Sequence, residues 1–104
     1  PYAEDDLCII IANLLRNAME YCQQASSHLA VTLAFRTYQS HLIIHCENPI
    51  EESIDIEHLG TFTSKSDTKR HGFGIQNIKD IVVHYNGTIK FDSTNHIFVV
   101  DIIL

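Results

Sequence analysis

The sequence is poor in basic residues, and this shortage limits the partners that the protein can bind. Seven Lys and Arg stand against 13 Asp and Glu, which gives a formal net charge of -6. Because binding to a duplex depends on many Lys and Arg contacts to phosphate, a general nucleic-acid surface is excluded. A small anionic ligand, in contrast, needs only a local basic spot.

The chain also lacks long apolar runs, a basic leader and paired cysteines. No run approaches the roughly 20 apolar residues of a membrane span, so we expect no direct membrane contact. The three cysteines, which form no C-x-x-C pair, are Cys8, Cys22 and Cys46. Their apolar contexts predict small core residues in the reducing cytosol. A metal cluster of Cys46 with His41 and His45 is disfavoured, because zinc ligands usually show tighter paired spacing.

The length of 104 residues predicts one domain over residues 1–104, and the missing initiator Met indicates a piece of a longer protein. Helices are expected over residues 5–26 and 75–85, and strands over residues 29–38, 41–47, 88–92 and 97–104. A polar stretch over residues 59–71 is typical of a mobile loop. This order favours a two-layer α/β (α+β) sandwich over a doubly wound parallel sheet. Its sheet is expected to be mixed but mainly antiparallel, with helices packed on one face.

The first predicted helix carries two asparagines one turn apart. Asn13 and Asn17 share a face, beside an apolar stripe that is expected to pack on the core. The stripe consists of Leu7, Ile11, Leu14, Ala18 and Cys22, flanked by Leu15 and Met19. Because asparagine favours caps and turns over helix interiors, the pair indicates a ligand. The alternative is that both are solvated polar positions.

The second candidate segment joins a basic stretch to a glycine-rich helix start. Gly72, Phe73 and Gly74 lie directly before the second predicted helix, where backbone N–H groups can approach a phosphate. The basic residues before them are Lys65, Lys69, Arg70 and His71. Together they predict a lid that folds over a bound polyphosphate. The alternatives are a simple turn that starts a helix and a solvated loop.

These segments, taken together, resemble the Bergerat-fold ATP-binding domain of sensor histidine kinases, within the GHKL superfamily. The matching segments are residues 13–21 (N box), 46–49 (first glycine box), 62–65 (start of the lid) and 71–78 (second glycine box). The resemblance spans nearly the whole chain. The lid start, His71 and residues 85–87 are most similar to the peptide-pheromone, or quorum-sensing, branch of these kinases.

The resemblance implies a site for ATP and Mg²⁺ and assigns its residues. Asn17 would ligate Mg²⁺ through its side-chain oxygen, and Asn13 would contact the phosphates. Lys65 or Arg70 would neutralise the γ-phosphate, and Asn13 and Lys65 are therefore the candidate catalytic residues. The further nucleotide-binding positions are Tyr21, Asn48, His71, Gly72, Phe73, Gly74 and Ile75.

The chain departs from the pattern of the family in three features. The first glycine box normally carries an Asp, which binds the adenine amino group, followed by glycines, but here Asn48 and Pro49 stand there. Asn48 can still accept a hydrogen bond from the amine. Glu20 occupies a place where many kinases carry a basic residue, so we expect one phosphate contact to be missing. Arg16 is also unusual, and we expect it to be exposed.

The residue at position 13 bears on the reaction that the resemblance implies. ATP-hydrolysing members of the superfamily carry a Glu there as general base, whereas the Asn13 carboxamide has no useful basicity. Transfer of the γ-phosphate to a histidine on a separate dimerisation domain is therefore favoured over hydrolysis. The implied protein is a homodimeric bacterial plasma-membrane kinase with a cytoplasmic catalytic domain and a response regulator as partner. The alternatives are an anti-sigma-type serine kinase and a nucleotide-binding or dimerisation module without transfer activity.

Overall fold

A computed structural model of the chain describes residues 2–24, 30–50 and 73–104, with the backbone alone at residues 21–24 and 73. The elements in these ranges are α1 (Glu4–Gln24), β1 (Thr32–Tyr38), β2 (His41–Pro49), α2 (Phe73–His84), β3 (Thr88–Thr94) and β4 (Ile97–Ile103). Their order along the chain is the predicted one. None of the helices in the described ranges has the length and apolarity that crossing a membrane requires.

The strands form one sheet in the order β1-β2-β4-β3, and each neighbouring pair is antiparallel. Two-residue turns, Gln39-Ser40 and Asn95-His96, close the two hairpins, and all four turn residues have positive φ. Two successive residues with positive φ make a type I′ turn, whose twist matches that of the flanking strands. The predicted antiparallel sheet with helices on one face is confirmed.

The core lies between the inner face of the sheet and the two helices. Strand alternation turns Ile44, Cys46 and Asn48 of β2 inward, where they are buried. The buried apolar residues of the other elements are Ile10, Leu14 and Ala18 of α1, Ile75, Ile78 and Val82 of α2, and Phe98, Val100 and Ile102 of β4. These residues recur at helical spacing in the helices and at every second position in β4, as binary patterning requires.

The buried face of α1 differs from the predicted stripe. Ile10, rather than Ile11, is fully buried, and Met19 is 49% exposed. The reason is that α1 contacts both the sheet and α2, which rotates the buried face towards the asparagines. Cys46 is buried as predicted, and burial raises the pKa of its thiol to about 11. The prediction for Cys8 is wrong, because Cys8 is exposed.

Several element ends also differ from the predicted ones. β1 begins at Thr32, and β2 continues through Pro49, whose partner in β4 is Ile97. Proline is tolerated there because it is the last residue of the strand. β3 continues to Thr94, since the left-handed conformations of Asn95 and His96 confine the turn to two residues. α2 begins earlier than predicted, at Phe73, and ends at His84.

The end of α2 is held by a Schellman motif, as the predicted Asn86-Gly87 stop requires. The Gly87 N–H donates to the Val82 carbonyl at 2.9 Å, and the Asn86 N–H donates to the Val83 carbonyl at 3.0 Å. Asn86 adopts the left-handed conformation, with φ 56°. A Cβ on Gly87 would lie 2.3 Å from the Ile103 carbonyl oxygen, so only glycine allows this approach to the end of β4.

The start of α1 contacts the end of α2. The Tyr85 hydroxyl donates to the Asp6 carboxylate at 2.6 Å and accepts from the Ala3 N–H at 2.9 Å. The hydrogen bond to Asp6 raises the pKa of Tyr85. Because Gly74, at the start of α2, lies against Asn13, further along α1, the two helices run antiparallel. This arrangement brings the asparagines of α1 to the glycine-rich start of α2.

Candidate functional site

Asn13 and Asn17 are buried. Their residues are 7% and 4% exposed, so the solvated alternative for the pair is excluded. An amide that is transferred from water to a protein interior must find partners there, or its burial lowers stability. The geometry around each of the two carboxamides therefore decides what they bind.

The Asn13 carboxamide has a fixed orientation. Its Nδ2 donates to the Ile9 carbonyl at 2.9 Å, one turn earlier in the same helix. The Oδ1 atom lies 3.1 Å from the position that a Cβ on Gly74 would occupy. Asn13 therefore presents an oxygen, not an N–H group, to the start of α2.

The Asn17 carboxamide has no hydrogen-bond partner within the described part of the chain. Both its Oδ1 and its Nδ2 are buried there without one. Leaving such a group unpaired costs about 1–3 kcal/mol. Its Oδ1 lies 3.7 Å from the Cβ position of Gly74, on the same side as the Asn13 oxygen. An amide oxygen with no protein partner fits a hard cation such as Mg²⁺, which prefers oxygen ligands.

Gly74 is the residue that lets the start of α2 approach the asparagines. It is buried, and a side chain there would meet the Asn13 amide at 3.1 Å, tighter than ordinary van der Waals contact. The N–H groups of the first helical turn have no partners within their own helix, and the helix end carries a partial positive charge. The site therefore combines amide oxygens from α1 with an electropositive helix end from α2. Ile75 lies in the core, and its contact with a nucleotide stays a prediction.

Asn48 lies near the end of β2, on the inner face that α1 covers. It is 3% exposed, and its Nδ2 donates to the Pro49 carbonyl at 3.0 Å. This orientation assigns the side-chain oxygen the role of acceptor. Asn48 can therefore accept a hydrogen bond from an amino group, as the Asp of the family pattern does.

The structure does not describe the side chains of the remaining predicted site residues. Lys65, Arg70, His71 and Gly72 lie outside the described residues, and Tyr21 and Phe73 are described by their backbone alone. Their assignments stay predictions. The structure thus brings together Asn13, Asn17 and Gly74, three of the predicted positions that come from two distant segments.

An open groove of about 490 Å³ continues from Asn13 along the two helices. It is lined by Ile9, Ala12, Asn13 and Arg16 of α1 and by Asn77, Asp80 and Ile81 of α2. Arg16 is exposed, as predicted. Sequence reasoning gave neither Arg16 nor Asp80 a role, although Arg16 follows Asn13 by three residues and therefore lies on a neighbouring face.

The opposite face of the sheet carries a second polar cluster. His45 Nδ1 lies 2.5 Å from Asp101 Oδ1, and His45 Nε2 lies 3.3 Å from Glu47 Oε1. The hydrogen bond to Asp101 raises the pKa of His45, although partial burial opposes it. The two carboxylates bind different ring nitrogens, so they do not converge on one metal position. Among the described residues no group of three or more His, Cys, Asp or Glu could hold a metal ion.

Comparison with known proteins identifies the family. The model of the GHKL domain family matches residues 4–104. Among solved structures, the chain is similar to the histidine kinase AdeS of Acinetobacter baumannii, with a TM-score of 0.72 and 18% identity. The match covers 96% of this chain and 45% of that one, so the chain spans less than half the length of AdeS. No curated protein matches the chain.

The family match confirms the resemblance to a GHKL domain. The likeness to AdeS shows the fold, and the assignment to the quorum-sensing branch stays a prediction. Because the family model matches nearly the whole chain, the protein belongs to the GHKL domain family.

Proposed function

We propose that this domain binds ATP with Mg²⁺ and transfers the γ-phosphate to a histidine on a separate dimerisation domain of a sensor histidine kinase. The observation that supports this most is the buried Asn17 carboxamide, which has no partner among the described residues and faces Gly74 at the start of α2. A protein keeps such an unfavourable group where a ligand completes its interactions.

The described residues divide the binding of a triphosphate between them. Asn17 would hold Mg²⁺ through its Oδ1, and the Asn13 Oδ1, on the same side, would accept a hydrogen bond from water on that Mg²⁺ and so orient the phosphates indirectly. The N–H groups at the start of α2 would donate to phosphate oxygens. When bound, Mg²⁺ supplies charge neutralisation, which together with positioning is most of what phosphoryl transfer requires.

The character of Asn13 supports transfer to a protein over hydrolysis. Activating water requires a base within hydrogen-bond reach, and the Asn13 oxygen, although it faces the site, is an amide oxygen. It can position a hydrogen-bond donor, such as a metal-bound water, but cannot remove a proton. The acceptor side chain must therefore bring its own nucleophilic atom, as an imidazole does.

We assign the contact with the nucleotide base to Asn48. The remaining contacts are assigned to the residues that the family pattern gives. Asn48 would accept a hydrogen bond from the adenine amine. Lys65 and Arg70 would neutralise the γ-phosphate, and Lys65 would act in catalysis. The full protein would be a dimer at the cytoplasmic side of a bacterial plasma membrane, with a response regulator as partner, in the quorum-sensing branch.

One alternative is favoured by a particular feature of the chain. Asn48 and Pro49 replace the Asp and glycines of the first glycine box, and a neutral amide binds the adenine amine less strongly than a carboxylate does. This change supports a nucleotide-binding module without transfer activity.

The metal assignment is tested by calorimetric titration of the protein with ATP, with Mg²⁺ or with EDTA. We expect Asn17→Ala to bind MgATP at least about tenfold more weakly than the parent, because it loses a direct ligand. In EDTA the two proteins should bind ATP alike. Met19→Ala, which changes an exposed side chain of the same helix, is the matched control. Equal affinity of Asn17→Ala and the parent for MgATP would contradict the assignment.

The acceptor is tested separately, with the full-length protein and ATP labelled at the γ-phosphate. Phosphohistidine is labile in acid and stable in base, whereas phosphoserine shows the reverse behaviour. We expect a label that acid removes. A label that resists acid identifies a serine kinase, and binding of MgATP without any label identifies the module without transfer activity.

A further inference from the structure

The groove between α1 and α2 joins the candidate phosphate site to solvent. Asn13 belongs to both, because it lines the groove and presents its Oδ1 to Gly74. A phosphate that is to be transferred must be reachable by an acceptor from outside the protein. Beside the Asn13 oxygen, this groove offers such an opening within the described part of the chain.

Arg16 provides a positive charge in this groove. It is exposed, and within the described part of the chain it forms no ion pair with a carboxylate. Asp80, which lines the opposite wall, accepts a hydrogen bond from Gln76 at 2.9 Å instead. The guanidinium of Arg16 is thus available to a ligand, and its planar donors match the geometry of a phosphate.

We propose that Arg16 contacts the γ-phosphate of ATP from the groove side and stabilises its charge. This inference rests on the proposed function, and it adds a residue that the family pattern does not assign. Arg16 follows Asn13 by three residues, so both side chains lie on the face of α1 that lines the groove, whereas Asn17 lies about 100° further round the helix, on the buried side. Asn17 and Gly74 lie deeper and serve the metal and the inner phosphates.

The comparison of ATP with ADP isolates this contact, because the two nucleotides differ only in the γ-phosphate. Calorimetric titrations in Mg²⁺ would compare the parent with Arg16→Gln and Arg16→Lys. We expect Arg16→Gln to lower the affinity for ATP about tenfold and to leave that for ADP within about twofold, as loss of one charged hydrogen bond predicts. Arg16→Lys, which keeps the charge, should recover part of the difference.

Arg36→Gln is the matched control. Arg36 is an exposed arginine of β1, outside the candidate site, and its replacement makes the same change of net charge. We expect it to change neither affinity. A thermal melt of each variant without nucleotide checks folding, and an exposed position should tolerate both Arg16 changes.

Three outcomes overturn the assignment. If Arg16→Gln binds ATP as tightly as the parent, Arg16 makes no contact with the γ-phosphate. If the variant loses affinity for ATP and ADP equally, it has lost a contact to the inner phosphates or its fold. If Arg16→Gln keeps both nucleotide affinities but no longer transfers phosphate, Arg16 contacts the acceptor and not the γ-phosphate. A parent protein that binds neither nucleotide contradicts the proposed function itself, and that result is distinct from the other three.

Discussion

The two ends of the contact between α1 and α2 differ in how their polar groups are paired. At the end near the start of α1, the Tyr85 hydroxyl donates to Asp6 and accepts from Ala3. At the other end, the Asn17 carboxamide is buried without a hydrogen-bond partner among the described residues. The first end is complete as it stands and stabilises the fold. The second end would gain its partners from the proposed ligand, so we expect stability and binding to respond to mutation separately there.

The largest expected effect comes from the two glycines that lie near these ends. A Cβ on Gly87 would lie 2.3 Å from the Ile103 backbone oxygen, whereas one on Gly74 would lie 3.1 Å from a side-chain amide. We expect Gly87→Ala to lower the free energy of unfolding by about 3 kcal/mol, because the backbone must move.

Gly74→Ala is the matched variant at the ligand end. The new methyl group is crowded by Asn13, but alanine favours a helix over glycine by roughly 1 kcal/mol, so we expect little change in stability. ATP affinity should fall, because the new methyl group displaces the Asn13 oxygen. Urea denaturation and calorimetry measure the two quantities. Equal destabilisation by both substitutions would contradict the comparison.

The next effect concerns the complete end. Tyr85→Phe removes the hydroxyl that binds both Asp6 and Ala3. We expect the free energy of unfolding to fall, because a hydrogen bond to a charged group is lost, with ATP affinity unchanged. Tyr38→Phe, at an exposed tyrosine of β1, is the control that should change neither. A fall in ATP affinity with Tyr85→Phe would show that the two ends are not separate.

The third effect has the opposite sign. Asn17→Leu replaces an unpaired buried amide by an apolar side chain of similar size, so we expect stability without ligand to stay equal or rise by up to about 1 kcal/mol. Binding of MgATP should be lost. For contrast, Leu14→Ala, on the neighbouring face of the same helix, should cost about 2–5 kcal/mol. Marked destabilisation by Asn17→Leu would show that the amide has a partner in the free protein.

The smallest effect is a pH dependence that involves neither end. The pKa of His45 is raised above its ordinary value by Asp101 and Glu47, so the protonated form is favoured in the folded state. The resulting stability is complete below the unfolded pKa of about 6.5 and is lost as the pH rises through the higher folded pKa. Solvent screens this partly exposed cluster, so we expect less than about 1 kcal/mol.

Denaturation of the parent and of His45→Gln between pH 5 and pH 9 would measure this dependence. The variant should lack the fall in stability over that range. The other charged side chains near this cluster are Arg36, which lines the same surface, and Lys90, the cross-strand partner of Asp101. A fall of equal size in the parent and the variant would assign the dependence to another group.

The element order could be predicted because the periods of the sequence are clear. Alternation in β1, the Ile, Val and Phe content of β4, and the spacing of Ile75, Ile78 and Val82 indicate two strands and a helix directly. The ends could not be predicted, because they depend on local conformations such as the positive φ of Asn95 and His96. Propensity alone assigns those polar turns too many residues.

The site could be predicted only in part. Asn13 and Asn17 were identified by their spacing, and Gly74 by its position before a helix, but their contact depends on the antiparallel approach of two distant segments. The same approach buries Ile10 rather than Ile11 and creates the groove with Arg16 and Asp80. A helix that packs on two partners has a wider buried face than one apolar stripe suggests.

The hairpin tips have a consequence for engineering the domain. Gln39 and Ser40 adopt left-handed conformations, with φ of 48° and 69°. Such a conformation lowers stability by roughly 1 kcal/mol or more for each residue other than glycine. Asn-Gly at that tip would suit the type I′ turn and leave α1, α2 and the candidate site untouched. This hairpin tip is thus a place where a thermally hardier version of the domain can be made.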